Sequence, residues 1–229
     1  MKKLILLLLN CYLFPGLCYS QVRFSLEAGL VSSGYYGKSG GLGLYAADKW
    51  GGRFGAGFDT KISNHVSAQA GGVFIMNGYN QNTAKGDLTF ALNTFEVPLN
   101  FIYKLDKPLG NRLFIGIGPY IAINMFGKKT YKPLDSTAYS WQINAGSDTR
   151  DDIKLFDFGA GVQAGYEFEK GLFFRVFYQT SLINMNTNGN DNNILKNKNS
   201  GVSIGYLFNS KKRKALMGTS GFRNNGLEM

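Results

Sequence analysis

The chain has 229 residues, rich in Gly (30), Phe (18) and Tyr (13) and poor in charged residues at 17%, a length that suits one domain and a balance typical of all-β membrane barrels rather than soluble α/β enzymes. Composition alone leaves soluble β-sandwiches open. The formal net charge is +10, with Lys211, Lys212, Arg213, Lys214 and Arg223 set against Glu228 near the end of the chain; in an exported protein such an excess points to anionic lipid or cell-wall material and away from nucleic acid.

Export is written in the first twenty residues. Lys2 and Lys3 precede an apolar run that begins at Leu4 and is broken by Pro15 and Gly16, and Cys18 and Ser20 stand at the cleavage positions before Gln21. This is the layout of a secretory signal peptide over residues 1–20, its apolar run shorter than the roughly 20 residues a spanning helix needs. Cys18 follows Leu17 and Cys11 follows Asn10, where a lipid-modified cysteine would follow a small residue. Both cysteines fall in the segment expected to be removed, so the mature chain, at a net charge of +8, is expected to hold no disulfide, thiol nucleophile or thiolate ligand. The expected organisation is a signal peptide (1–20), a β-barrel (21–208) and a basic tail without fixed structure (209–229).

Beyond residue 20 a period of two recurs. Val22, Phe24, Leu26, Ala28 and Leu30 alternate with Arg23, Ser25, Glu27 and Gly29, as a strand with one apolar and one polar face requires. Phe54, Ala56, Phe58 and Ile62 repeat the pattern, as do Phe95, Val97, Leu99, Phe101 and Tyr103. Three more such strands follow, over Phe158 to Phe168, Phe174 to Tyr178 and Val202 to Phe208, and two less regular ones lie near 66–77 and 113–124. The connections alternate in length: 63–65, 106–112 and 169–171 are short, while 32–51, 77–87, 125–152 and 183–199 are long. The sequence therefore predicts an all-β fold, an eight-stranded antiparallel up-and-down transmembrane β-barrel with tight periplasmic turns, long external loops and both termini in the periplasm. Such a barrel lies in the outer membrane of a gram-negative bacterium, with lipid against its apolar face, and is expected to be monomeric.

The polar face mixes glycine with charge. Gly29, Gly55, Gly57, Gly159, Gly161, Gly165 and Gly205 fall there, beside Arg23, Arg53, Lys61, Lys104 and Arg175 and their counter-charges Glu27, Asp59, Glu96, Asp157 and Glu167. Eight strands enclose a lumen only wide enough for side chains, and glycine makes room for long ones. A balanced inward set reads as a salt-bridged plug, which argues against a general pore.

At FEVPLNFIYKL (95–105), FIGIGPYIAINM (114–125) and DFGAGVQAGYEF (157–168) the chain resembles the outer-membrane β-barrel domain family that includes PorT-like and other small porin-family proteins. The resemblance runs over the mature chain to Phe208. It implies an eight-stranded outer-membrane barrel, and for most members no known biochemical activity; the basic tail beyond Phe208 departs from barrels that end at a terminal aromatic.

No catalytic set stands out. His65, the one histidine, falls in a short turn, where a surface role outweighs that of a base, and one His with no mature Cys makes no zinc site. Glycines 34, 37, 40, 41 and 43 lack the Gly-Lys-Ser/Thr of a phosphate loop, and Asp148, Asp151, Asp152 and the Asn-rich run from Asn184 to Asn193 lack calcium-loop spacing. The expectation is a protein that is not an enzyme and carries no cofactor or metal. Tyr131, Tyr139 and Trp141 in the longest loop form a candidate contact surface for a protein or glycan. A structural or interaction barrel, with secretion or the envelope as its setting, ranks first; a narrow porin-like channel ranks second and a lipid-modifying enzyme third.

Overall fold

The computed structural model describes residues 22–208, so the leader and the basic tail lie outside the described residues. Strands account for most of that span: β1 (Val22–Ser39), β2 (Leu42–Tyr45), β3 (Ala47–Lys61), β4 (Val66–Thr83), β5 (Gly86–Asp106), β6 (Arg112–Pro133), β7 (Tyr139–Ile143), β8 (Ala145–Gly146), β9 (Ile153–Lys154), β10 (Phe156–Glu167), β11 (Leu172–Ser181) and β12 (Ile194–Leu207). Eight of them, β1, β3, β4, β5, β6, β10, β11 and β12, pair antiparallel with their neighbours in the chain order of the barrel. β1 pairs with β12 from Ser25↔Leu207 to Lys38↔Ile194, and β6 pairs with β10 from Arg112↔Glu167 to Ile123↔Phe156, which closes the sheet into a ring. Among the described residues no helix is long and apolar enough to cross a membrane.

Alternation in sequence becomes alternation in space. Phe24, Leu26 and Ala28 lie opposite Phe58, Ala56 and Phe54, while Arg23 lies opposite Asp59 on the other face. Side chains of the first set point away from the axis: Phe54 is 52% exposed and Ile117 62% exposed. Their inward neighbours, such as Arg53 and Asp59, are buried. A continuous apolar exterior of this extent needs an apolar solvent.

The strands run further than alternation shows. β4 continues to Thr83 and β5 begins at Gly86, so the expected loop 77–87 is a hairpin with a two-residue tip. β6 reaches Pro133 and returns through β7, which removes much of the expected loop 125–152, and β12 starts at Ile194 within the expected loop 183–199. Segments such as Asn80 to Thr83 lie beyond the apolar band and have no greasy face, yet their backbones still pair, Asn80 with Thr89 and Gln81 with Leu88. Ladder hydrogen bonds need no hydrophobic pattern.

Glycine on the inner face seats the large lumen side chains. A Cβ at Gly159 would lie 2.2 Å from the Tyr120 ring, one at Gly165 would lie 2.4 Å from the Phe114 ring, and one at Gly205 would lie 2.3 Å from the Phe173 ring. Gly159→Val is therefore expected to drive Tyr120 off its seat and to destabilise the barrel by about 1–3 kcal/mol. A denaturant titration in lipid, followed by heat-modifiable gel migration, would show it; an unchanged midpoint would contradict the seating role.

Candidate functional site: the lumen and its external mouth

Parity predicts five cations and five carboxylates inside the barrel; the structure keeps four of the cations and all five carboxylates there and sorts them into layers. Nearest the short turns, Arg23 on β1 bonds Glu167 on β10 and reaches Asp59 on β3 at 3.0 Å. Lys104 on β5 lies 2.7 Å from Asp59 and 3.1 Å from Glu167, so one cluster ties four strands together across the lumen. Lys61, expected in this set, is not part of it. It is the last residue of β3, stands exposed at the rim and donates to Asn64 at 3.0 Å, because the barrel wall ends before its inward direction can meet a lumen. Arg112 stands at the same rim outside the expected set: it pairs with Asp106 at 3.1 Å and lies 3.8 Å from Glu167. Its inward parity with Phe114 was readable, but it stands beside a turn where the apolar pattern gives no anchor.

A second layer lies deeper. Glu27 receives Arg53 at 3.1 Å on one oxygen and Arg175 at 3.1 Å on the other. Arg175 also donates to Gln69 at 2.9 Å, and Arg53 reaches Gln179 at 3.4 Å, which in turn donates to Glu96 at 2.7 Å. The guanidinium of Arg53 lies 4.5 Å from the centre of the Phe177 ring and that of Arg175 lies 5.1 Å from Phe173, so each cation has an aromatic face as well as a carboxylate. The cavity beside Glu27, Arg53 and Arg175 holds about 20 Å³ and the one beside Asp59, Lys104 and Glu167 about 10 Å³, room for a water molecule at most.

Above these layers Asp157 accepts hydrogen bonds from Ser181 at 2.7 Å and Tyr120 at 3.2 Å. Asn77, Thr94 and Asn124 continue the polar lining as a hydrogen-bonded chain. The mouth is then shut by grease. Tyr35, Phe90 and Leu92 of the barrel wall cluster with Ile143 of β7, Ile153 of β9 and Met185 of the loop before β12. That loop is pinned to its neighbour by Thr187 donating to the Asp151 carbonyl at 2.6 Å and by Lys154 N–H to the Met185 carbonyl at 2.9 Å. The sequence carried a faint signal of this cap, in single apolar residues inside otherwise polar loops; which of them meet depends on how two loops fold over the same opening.

The loop candidates find distinct places. Tyr131 and Tyr139 are cross-strand partners on β6 and β7, with ring centres 5.5 Å apart, and Trp141 stacks on Tyr139 at 5.8 Å. Tyr139 and Trp141 stay exposed at 55% and 41%. A bulge sets this up: Asn93 pairs with Phe126 while Thr94 pairs with Asn124, so Met125 is an extra residue and parity reverses beyond it. Gly127, Lys129 and Tyr131 thereby share the inward side with Phe90, and the ladder rises above the mouth. Asp148 and Asp151 hold the turn backbone, Asp151 accepting from the Asp148 N–H at 2.8 Å, while Asp152 binds Lys129 at 2.7 Å. His65 is exposed in its turn, 4.0 Å from Asp106 and stacked on Tyr103.

A ring of eight antiparallel strands, apolar outside and ionic within, defines a transmembrane β-barrel. The chain belongs to the outer membrane protein beta-barrel domain family, whose model matches residues 16–187. It is an outer-membrane protein of a gram-negative bacterium, and lipid covers its apolar face. Among solved structures it is similar to Neisserial surface protein A at 13% identity and a TM-score of 0.45, covering 80% of this chain and 96% of that one. It is also similar to Ail of Yersinia pestis, solved in complex with the heparin analogue sucrose octasulfate, at 14% identity and a TM-score of 0.40 over 82% and 99% of the two chains. The N-terminal β-barrel domain of Pseudomonas aeruginosa OprF matches at 15% identity and a TM-score of 0.31, over 82% and 100%. No curated protein matches the chain significantly.

Glu27→Gln removes the shared counter-charge of Arg53 and Arg175 and is expected to cost about 3–5 kcal/mol, the range for breaking one partner out of a buried pair. Unfolding in lipid vesicles measures it, and a loss under 1 kcal/mol would mean that water replaces the carboxylate. At the mouth, partial burial alone would raise the Asp152 carboxyl, but the Lys129 ammonium and the Asn144 N–H at 3.0 Å outweigh it and hold the group below the usual carboxylate range. Its contribution is thus present above the ordinary aspartate range and lost as pH falls through the lowered value. Acid titration of loop mobility by site-directed spin labelling should show that step in the wild type and lose it in Asp152→Asn.

Proposed function

We propose that this barrel acts as a closed structural and interaction component of the outer membrane, neither a channel nor an enzyme, presenting its external loops to a protein or glycan partner. The observation that carries this reading is the filled axis: two polar layers span the lumen, Arg23 of β1 to Glu167 of β10 and Arg175 of β11 to Gln69 of β4, and an apolar cap drawn from two loops and two barrel strands lies over them. A path for solute would have to break buried ion pairs and displace the cap together. The exposed ladder of Tyr131, Tyr139 and Trp141 supports the second half of the proposal. Stacked aromatic rings held rigidly by a hairpin offer large contact area at little entropic cost. The exposed imidazole of His65, paired in geometry with Asp106 at the short-turn end, supports a surface role rather than that of a base.

Two measurements test the proposal. Planar-bilayer recording of the purified protein is expected to show no stable conductance steps, and regular steps would favour the narrow-channel reading. Tyr139→Ala with Trp141→Ala should leave heat-modifiable migration unchanged and weaken binding on a glycan array or to host-surface protein by about tenfold or more, the scale of losing a central aromatic contact. Unaltered binding would remove the ladder from the site, and a changed lipid A profile on gene deletion would favour the lipid-modifying enzyme.

A further inference from the structure

Among the described residues, Asp157 is the inward carboxylate with no lysine or arginine joined to it directly or through one intervening side chain. Asp59, Glu167 and Glu27 each lie within 3.2 Å of at least one cationic nitrogen, and Glu96 is linked to Arg53 through Gln179. Asp157 has instead two hydroxyls, Ser181 and Tyr120, on its Oδ2, with the Phe158 backbone N–H close by. Its Oδ1 is buried without a hydrogen-bond partner, and so are the side-chain oxygens of Asn197 and Asn199 and the Tyr35 hydroxyl. These groups form one wall. Ser181 lies opposite Gly159, two residues below Asp157 on β10, and its hydroxyl takes the Asn197 N–H at 3.2 Å. Asn197 lies opposite Tyr35 on β1, and Asn199 lies opposite Gln179, the donor to Glu96. By this register Asp157, Ser181, Asn197 and Tyr35 stand on four successive strands, β10, β11, β12 and β1, while Asn199 lies further down the wall.

From this juxtaposition we propose that the upper lumen binds one monovalent metal cation of the sodium or potassium class, held by Asp157 with the amide oxygen of Asn197 and the hydroxyl oxygen of Tyr35. Charge selects the valence. Arg23, Arg53, Lys104 and Arg175 face Glu27, Asp59, Glu96, Asp157 and Glu167, while Arg112 closes a rim pair with Asp106, which leaves the lumen one positive charge short. All-oxygen donors suit a hard cation, and among the described residues no group of three or more His, Cys, Asp or Glu converges as a multivalent metal would favour. Met185 covers the place, its sulfur 3.4 Å from the Ser181 hydroxyl.

The test is to refold the full chain into detergent in sodium, potassium or choline chloride at equal ionic strength and to follow thermal conversion of the folded band. The expected result is a midpoint several degrees higher in one alkali cation than in choline, with the difference abolished in Asp157→Asn and reduced in Asn197→Leu. Because Asp157→Asn could fail to fold, sodium-23 relaxation on the wild-type protein provides a second reading, and excess linewidth that potassium competes away supports the site. Equal midpoints in all three salts with no excess linewidth would overturn the proposal. So would a midpoint that follows pH identically in every salt, because a proton would then be the occupant.

Discussion

The pairing of β1 with β12 is the constraint on which everything else rests. In lipid no water is available to an unpaired backbone N–H or carbonyl, so a sheet with two open edges has no stable place in the membrane. The fourteen-residue register from Ser25↔Leu207 to Lys38↔Ile194 removes both edges at once. It joins residues at the two ends of the described chain, and until it forms no inward side chain has an opposite wall to meet.

Closure also fixes what the lumen can hold. Eight strands leave a bore filled by side chains, and the polar parity of each strand delivers charges into it whether or not they are paired. Pairing is then a matter of which strands the lumen brings within reach: Arg23 of β1 finds Glu167 of β10, and Lys104 of β5 finds Asp59 of β3, strands that are not neighbours in the sheet. Burial penalises each of these charges unless it is compensated, and compensation cross-links the walls. The plug is therefore a by-product of closure that stiffens the barrel, and it leaves the parts beyond the membrane as the place where recognition can occur. There the apolar cap and the aromatic ladder are held by the same strands, extended past the lipid.

Much of this was legible from residues alone. Parity assigned Phe54, Val97 and Val162 to the exterior, and Arg53, Asp59, Glu96 and Arg175 to the interior, because a strand can turn a side chain only one way or the other and the membrane rewards one arrangement. The places where parity misled are those where the strand stops or slips. Lys61 lies at a strand end with no lumen beside it, and the extra residue Met125 exchanges the two faces above it; at Arg112 parity holds, but the turn beside it leaves no apolar pattern to mark the strand.

By itself the sequence determined the number of barrel strands, their two faces and the solvent each face requires, since these depend on short-range alternation that every residue carries. Tertiary structure alone decided which charges meet, that Asp157 is left without a cation, and that Ile143, Ile153 and Met185 cover the mouth. The reason is that these outcomes depend on register around a closed ring and on two loops meeting over it, and separations such as the 144 residues between Arg23 and Glu167 leave no trace in local pattern.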